Sequence, residues 1–381
     1  MGSARLVLRP NPNQRSAATF LRLALAATIL ATFVTAHAQA VTIVDFGVPA
    51  SPGGAFPSPI AINNAGDVAG VLSTASGLEP FLWHNGVTTP LPTLPGATGI
   101  AITGINSSDQ IVGYSVGPDG LKQAVEWQNG TIAVLPAEVG FSESAANGIN
   151  DAGQIVGSVD NYPTDSTTHS VIWQNGIISD VNTTGGTAAL GINNAGQVVG
   201  GQAPAIMYPG YNGFAWQNGN LSPVVPAGTY VTATAINNQG MIVGNLSPTL
   251  GSHTQQAVLI QNGVITALGT NGYPTSYATA INDLGQVIGV SDANGYRPFL
   301  WQNGQMTSLN SLMPTGWTLW GVFGINDRDQ IVGLADVPGS QFRDAVLITL
   351  PEPSTWALCL LAAAFVIVSY ARRPQKVGKS A

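Results

Sequence analysis

The sequence predicts an all-β chain closed into a ring of seven four-stranded sheets. Three observations carry this. An Ile-Asn pair recurs at Ile62-Asn63, Ile105-Asn106, Ile149-Asn150, Ile192-Asn193, Ile236-Asn237, Ile281-Asn282 and Ile325-Asn326, in steps of 43 to 45 residues. That period is the range of a β-propeller blade. A second phrase, from "FLWHNG" at 81–86 to "FLWQNG" at 299–304, follows each of the first six pairs. Finally, only 8% of residues are charged while 45% are hydrophobic. About a quarter charged is ordinary, so strands covered on both faces are expected.

Each unit divides into four strands: a ("GIISDVN"), b ("TAALGIN"), c ("QVVGG") and d ("GFAWQ"). Between b and c, "GINDAGQIVG" at 148–157 reads as a type I turn closed by a bulge. Its Asn can bond the backbone two residues on, and its Gly supplies the positive φ. Asp109 and Asp329 replace that Gly, and Asp tolerates the left-handed region. Strand c is apolar at consecutive positions, as a strand packed between two neighbours requires. Its terminal Gly, for example Gly157, implies a close backbone approach. Between d and a, Asn-Gly is a strong two-residue hairpin signal. The tryptophans of the hairpin phrase, Trp83, Trp127, Trp173, Trp216 and Trp301, read as packing between blades.

Tight Asn-Gly turns join strands of one sheet, so a blade is b-c-d-a with b innermost, and the a–b connection crosses to the next blade. The seventh unit has "AVLITLP" without Asn-Gly, and therefore no strand a of its own. The first segment, "VTIVDFG" at 41–47, is a strand a with no blade before it. Val41 to Phe46 are expected to pair beside 345–350, so that the N-terminal strand closes the last blade. The result is a seven-bladed β-propeller over 41–350. Its I-N-x-x-G-x-hydrophobic-x-G turn and W-x-N-G hairpin resemble the HAF repeats of extracellular bacterial proteins. That resemblance implies an exported β-rich protein and no particular reaction.

The two ends read as addresses. Arg5, Arg9, Arg15 and Arg22 precede the apolar run "LALAATILATFVTA", and Ala36, Ala38 and Ala40 offer two A-x-A cleavage options, the later one at Ala38 and Ala40. Residues 1–40 are thus expected to be a secretory signal peptide, the alternative being a retained anchor. Residues 351–381 open on Pro351, Glu352 and Pro353, continue through an apolar stretch from Thr355 to Tyr370, and end in Arg372, Arg373, Lys376 and Lys379. This order resembles the PEP-CTERM sorting signal. It implies an exosortase-type processing enzyme as a partner, a short transmembrane helix that holds the chain transiently in the inner membrane of a Gram-negative bacterium, and delivery to the cell surface or extracellular matrix. A plain C-terminal anchor is the alternative; sixteen apolar-rich residues are marginal for a span.

Charge narrows the partners. Residues 41–350 hold only Lys122, Arg297, Arg328 and Arg343 against 14 Asp and 4 Glu, a net −14. Nucleic acid and anionic membrane surfaces should be repelled, leaving membrane contact to the C-terminal tail. The one cysteine, Cys359, lies in that tail, so the core folds without disulfides. His84, His169 and His253 have no His or Cys at ligand spacing. No metal, cofactor or catalytic residue is expected from spacing along the chain.

Function is expected on loops. The Asn turns and Asn-Gly hairpins alternate along an antiparallel meander with the variable connections, so the two kinds lie at opposite ends. The variable end carries Asp160, Tyr162, Asp165, Tyr208, Tyr211, Tyr273, Tyr277 and Trp317. Aromatic and acidic side chains on one rim are what a polysaccharide or protein binder uses. Two classes follow: a non-catalytic surface or matrix protein that binds there, favoured because no acid–base constellation is visible, or a lyase or glycosidase acting through loop Asp and Tyr. The second needs two carboxyl groups about 5–10 Å apart.

Overall fold

Hairpin chemistry fixes the local geometry. In the Asn-Gly turns the Asn takes φ of 49–52°, as at Asn175 (52°), and the Gly 74–86°, as at Gly176 (74°). Both signs are positive, the mark of a type I′ turn, whose twist matches the strands it joins. A side chain at Gly176 would meet open space, so only backbone strain opposes it. Gly176→Ala should therefore lower stability by about 1 kcal/mol, read from the urea unfolding midpoint.

The computed structural model describes residues 41–49, 61–74, 77–161, 168–183, 186–202, 213–249, 254–292, 296–340 and 343–350. The N-terminal strand is β1 (Thr42–Pro49). Blade 1 holds β2 (Ala61–Ile62), β3 (Val68–Thr74), β4 (Gly77–His84) and β5 (Val87–Pro90). Blade 2 holds β6 (Gly99–Ile105), β7 (Ile111–Val116), β8 (Lys122–Gln128) and β9 (Thr131–Val134). Blade 3 holds β10 (Glu143–Ile149), β11 (Ile155–Asp160), β12 (His169–Gln174) and β13 (Ile177–Asn182). Blade 4 holds β14 (Thr187–Ile192), β15 (Val198–Gln202), β16 (Phe214–Gln217) and β17 (Asn220–Pro223). Blade 5 holds β18 (Tyr230–Ile236), β19 (Ile242–Ser247), β20 (Gln256–Gln261) and β21 (Val264–Ala267). Blade 6 holds β22 (Thr275–Ile281), β23 (Val287–Asp292), β24 (Tyr296–Gln302) and β25 (Gln305–Ser308). Blade 7 holds β26 (Thr318–Ile325), β27 (Gln330–Asp336) and β28 (Arg343–Thr349). Each sheet is antiparallel and four-stranded, and β1 is the fourth strand of blade 7. Its register runs from Thr42 beside Thr349 to Asp45 beside Val346, the closure expected from the repeat count. A 3-10 turn at Leu309–Ser311 interrupts the strands, and no helix of the described residues is long and apolar enough to cross a membrane. The signal peptide, the sorting triplet and their cleavage residues Ala38, Ala40, Pro351, Glu352 and Pro353 lie outside the described residues.

The core is a set of layers between blades. In β11, Ile155 packs with Val112 of blade 2 while Val156 packs with Ala189 and Val198 of blade 4. Consecutive side chains on a strand point to opposite faces, so an unbroken apolar run is what a blade needs. Trp173 is 2% exposed and fills the space toward blade 2, and its indole N–H donates to the Pro136 carbonyl at 2.8 Å. Trp127 does the same toward blade 1 through Pro92, also at 2.8 Å. Gly157 lies opposite a bulge between Ala146 and Gly148. A Cβ there would stand 2.0 Å from the Ala145 carbonyl oxygen.

Candidate functional site

At the repeated-turn end, the asparagines of the seven Ile-Asn pairs form a closed ring about the axis. Each is buried, from 2% to 5% exposed. Asn193 shows the pattern: its Oδ1 accepts the backbone N–H groups of Ala195 at 3.1 Å and Gln197 at 2.9 Å, and its Nδ2 donates to the Asn237 carbonyl of the next blade at 3.0 Å. The same blade-to-blade bond runs from Asn63 to Asn106, Asn106 to Asn150, Asn150 to Asn193, Asn237 to Asn282, Asn282 to Asn326, and from Asn326 back to Asn63. Sequence reasoning finds the turn but not the ring. The turn bonds are local, whereas the ring bond joins residues 43–45 apart, or 263 at the seam. The fourth turn position takes positive φ throughout, at 56° in both Asp109 and Asp329.

The residues after those asparagines make a second ring at the mouth of a central cavity of about 230 Å³. The Ser107 N–H donates to Asp151, the Asp151 N–H to Asn194, the Asn194 N–H to Asn238, the Asn238 N–H to Asp283, the Asp283 N–H to Asp327 and the Asp327 N–H to Asn64. The three carboxylates also accept from side-chain amides, as Asp151 does from Asn194 at 2.7 Å. Burial raises the Asp151 carboxyl, but bonds from Ser107 and Asn194 outweigh it and hold the group below its usual range. The acids of this mouth are already satisfied by the scaffold.

The variable end is different. Tyr162, Asp165, Tyr208 and Tyr211 lie outside the described residues. Asp160 ends β11, half-buried, beside Glu143 of β10, with which it is in register. Burial, with Asp160 contributing, pushes the Glu143 carboxyl up, against the bond it accepts from the Lys122 N–H at 3.2 Å. Tyr273 precedes β22, Tyr277 lies within it and Trp317 precedes β26, all three half-buried. The fold thus distributes the described residues over blades 3, 6 and 7.

It also brings to this end groups that sequence reasoning missed. In blade 7 the Arg343 guanidinium lies 3.7 Å from the Trp320 ring centroid, and the Trp320 indole N–H donates to Asp336. In blade 2 the Lys122 ammonium lies 5.3 Å from the Tyr114 ring centroid. In blade 3, Glu138, His169 and Asp180 bring ligand-type atoms within 4.8 Å of one another. Glu138 Oε2 and His169 Nδ1 are buried there without a hydrogen-bond partner. Burial, then Asp180, raises the Glu138 carboxyl, which His169 opposes. These residues come from different strands and from the crossing between blades, so no spacing along the chain announces them. At the other end Asp67, His84 and Asp109 converge in the same way.

Comparison with solved structures agrees with this architecture. The β-propeller domain of the Trilobed protease from Pyrococcus furiosus matches with a TM-score of 0.54 at 10% identity, covering 77% of this chain and 92% of that one. The fold is that of a β-propeller. A puromycin hydrolase matches at 0.56 and 10% identity over 80% of this chain but 55% of its own. YCF48 bound to D1 peptide matches at 0.51 and 8% over 82% and 95%. The protease domain is described as an open velcro; here β1 completes the last blade. No family model matches the chain, and no curated protein matches it. At these identities the likeness speaks for the scaffold alone.

Proposed function

We propose that this is an exported, non-catalytic surface or matrix protein that binds extracellular polysaccharide through the variable rim of its propeller. One observation carries the binding reading: the repeated turns occupy one end, and the sequence variation, with its aromatic and cationic groups, occupies the other. Lys122, Arg297 and Arg343, three of the four cations of residues 41–350, stand at or beside the first residue of a d strand on that rim. Aromatic faces such as Trp320 and Trp317 suit sugar rings. Buried acceptors such as Glu138 Oε2 suit hydroxyl donors, because an unmet buried acceptor gains most from a partner. Export rests on the A-x-A options and the Pro-Glu-Pro tail, with an exosortase-type enzyme as the processing partner.

The test is co-sedimentation of purified protein with the exopolysaccharide of a Gram-negative producer. Tyr273→Ala with Trp317→Ala and Trp320→Ala should weaken binding at least tenfold, equivalent to about 1.4 kcal/mol. Gln174→Ala with Asn175→Gly, at the opposite end, should leave it unchanged. Loss with the Gln174 and Asn175 substitutions and not with the three aromatic ones would reverse the faces. Shortening of the polysaccharide would replace this reading by the enzymatic one.

A further inference from the structure

Three departures from the repeat fall at one place. The residue four after the ring asparagine is Asp67 in blade 1, where five other blades have Gln and blade 5 has Met241. The residue before Asn-Gly is His84, where the other five hairpins have Gln. The fourth turn position of blade 2 is Asp109, where five of the other blades have Gly. Their ligand-type atoms lie within 4.8 Å of one another, across the junction of blades 1 and 2.

The blade 6–7 junction shows how an Asp at that turn is ordinarily satisfied. There Gln286 Nε2 donates to Asp329 Oδ1 at 2.6 Å. At the blade 1–2 junction the amide is replaced by Asp67, so two carboxylates face each other. One amide, Asn63 Nδ2, stands 3.2 Å from Asp67 Oδ2, 3.0 Å from Asp109 Oδ1 and 3.1 Å from the Asn106 carbonyl. It has two hydrogens for three acceptors. His84 Nδ1 bonds Asp67 Oδ1, and Asn85 stands 2.9 Å from His84 Nε2. Burial and then the Asp67 charge push the Asp109 carboxyl above its usual range. The Asp67 side chain is 5% exposed and that of His84 is 57%, so the cluster is anchored inside and open to solvent on one side.

We propose that Asp67, His84 and Asp109 bind one divalent cation of the zinc class between blades 1 and 2. One imidazole nitrogen with carboxylate oxygens suits Zn²⁺, with water completing the shell. Ca²⁺ prefers six to eight oxygen ligands, more than these residues offer. His84 would coordinate through Nδ1 as the neutral tautomer whose single proton is on Nε2, and Asn85 would turn its amide oxygen to Nε2–H, fixing the ring. The ion neutralises the facing carboxylates and clamps two blades. This site is independent of the ligand proposed for the variable rim.

The test is a calorimetric titration of the purified protein with ZnCl₂, with CaCl₂ as comparator and thermal unfolding in parallel. The variant Asp67→Gln, His84→Gln, Asp109→Gly restores the residues that blades 3 and 4 carry, so its fold is kept. The expected result is a Zn²⁺ equivalent that the triple variant loses and His84→Gln weakens at least tenfold. The wild-type midpoint should rise with Zn²⁺ by several degrees and the variant's should not, since a ligand that binds only the folded state stabilises it. Absence of Zn²⁺ binding by the wild type, equal binding by the triple variant, or Ca²⁺ binding tighter than Zn²⁺ would overturn the proposal.

Discussion

Asn193→Ala is expected to lower the unfolding free energy by about 3–5 kcal/mol, at about 1–3 kcal/mol for each buried group left without a partner. The truncation strips the acceptor from two backbone N–H groups, those of Ala195 and Gln197. It also removes the donor to the Asn237 carbonyl of the next blade and to Gln197 Oε1 at 2.7 Å. Asn193 is 3% exposed and its bond to the Asn237 carbonyl is buried, so water cannot replace that bond without opening the ring. Asn193→Asp separates the two roles. It keeps an acceptor for the turn but sets a carboxylate against the Asn237 carbonyl, so it should retain the turn and weaken the junction. Urea unfolding of both variants reads the cost. A loss below about 1 kcal/mol for Asn193→Ala would mean that the ring is incidental to stability.

That ring marks the limit of what the sequence makes legible. Strand order, blade membership and the left-handed turn positions follow from neighbours in the chain: Asn-Gly dictates a hairpin, and Asp109 keeps a conformation that Gly153 adopts at 74°. The seam between β1 and β28 follows from counting strands. Contacts between blades obey no such local rule. His84 only replaces the Gln of the other hairpins; the β3–β4 ladder of blade 1 sets it against Asp67, and the packing of blade 2 on blade 1 brings Asp109 near. His169 stands alone along the chain, yet Glu138 reaches it from the crossing before blade 3 and Asp180 from the strand after it. A His-to-carboxylate group assembled from separate strands leaves a trace only as departures from the repeat, which blade-by-blade alignment shows at positions 67, 84 and 109.

Deleting 42–49 should lower stability by about 4–6 kcal/mol and expose the last blade. Half-buried Phe46 accounts for about 2 kcal/mol of transfer free energy. Its ring lies 5.4 Å from Trp83, edge-on, and 6.2 Å from Phe81, which adds about 0.5–1.5 kcal/mol for each aromatic pair. The ladder from Thr42 to Asp45 beside β28 supplies the remainder at about 1 kcal/mol per hydrogen bond. Without β1, the flank of β28 becomes an unpaired edge, which invites self-association. Hydrogen exchange at 345–349 should therefore accelerate in the deletion variant more than at 171–174, on the corresponding strand of blade 3. A synthetic peptide of residues 42–49 should restore protection by adding a strand to that edge, and a scrambled peptide should not. Phe46→Ala alone should reproduce most of the loss while leaving the ladder in place. Unchanged protection at 345–349 after the deletion would mean that the ring holds without its seam.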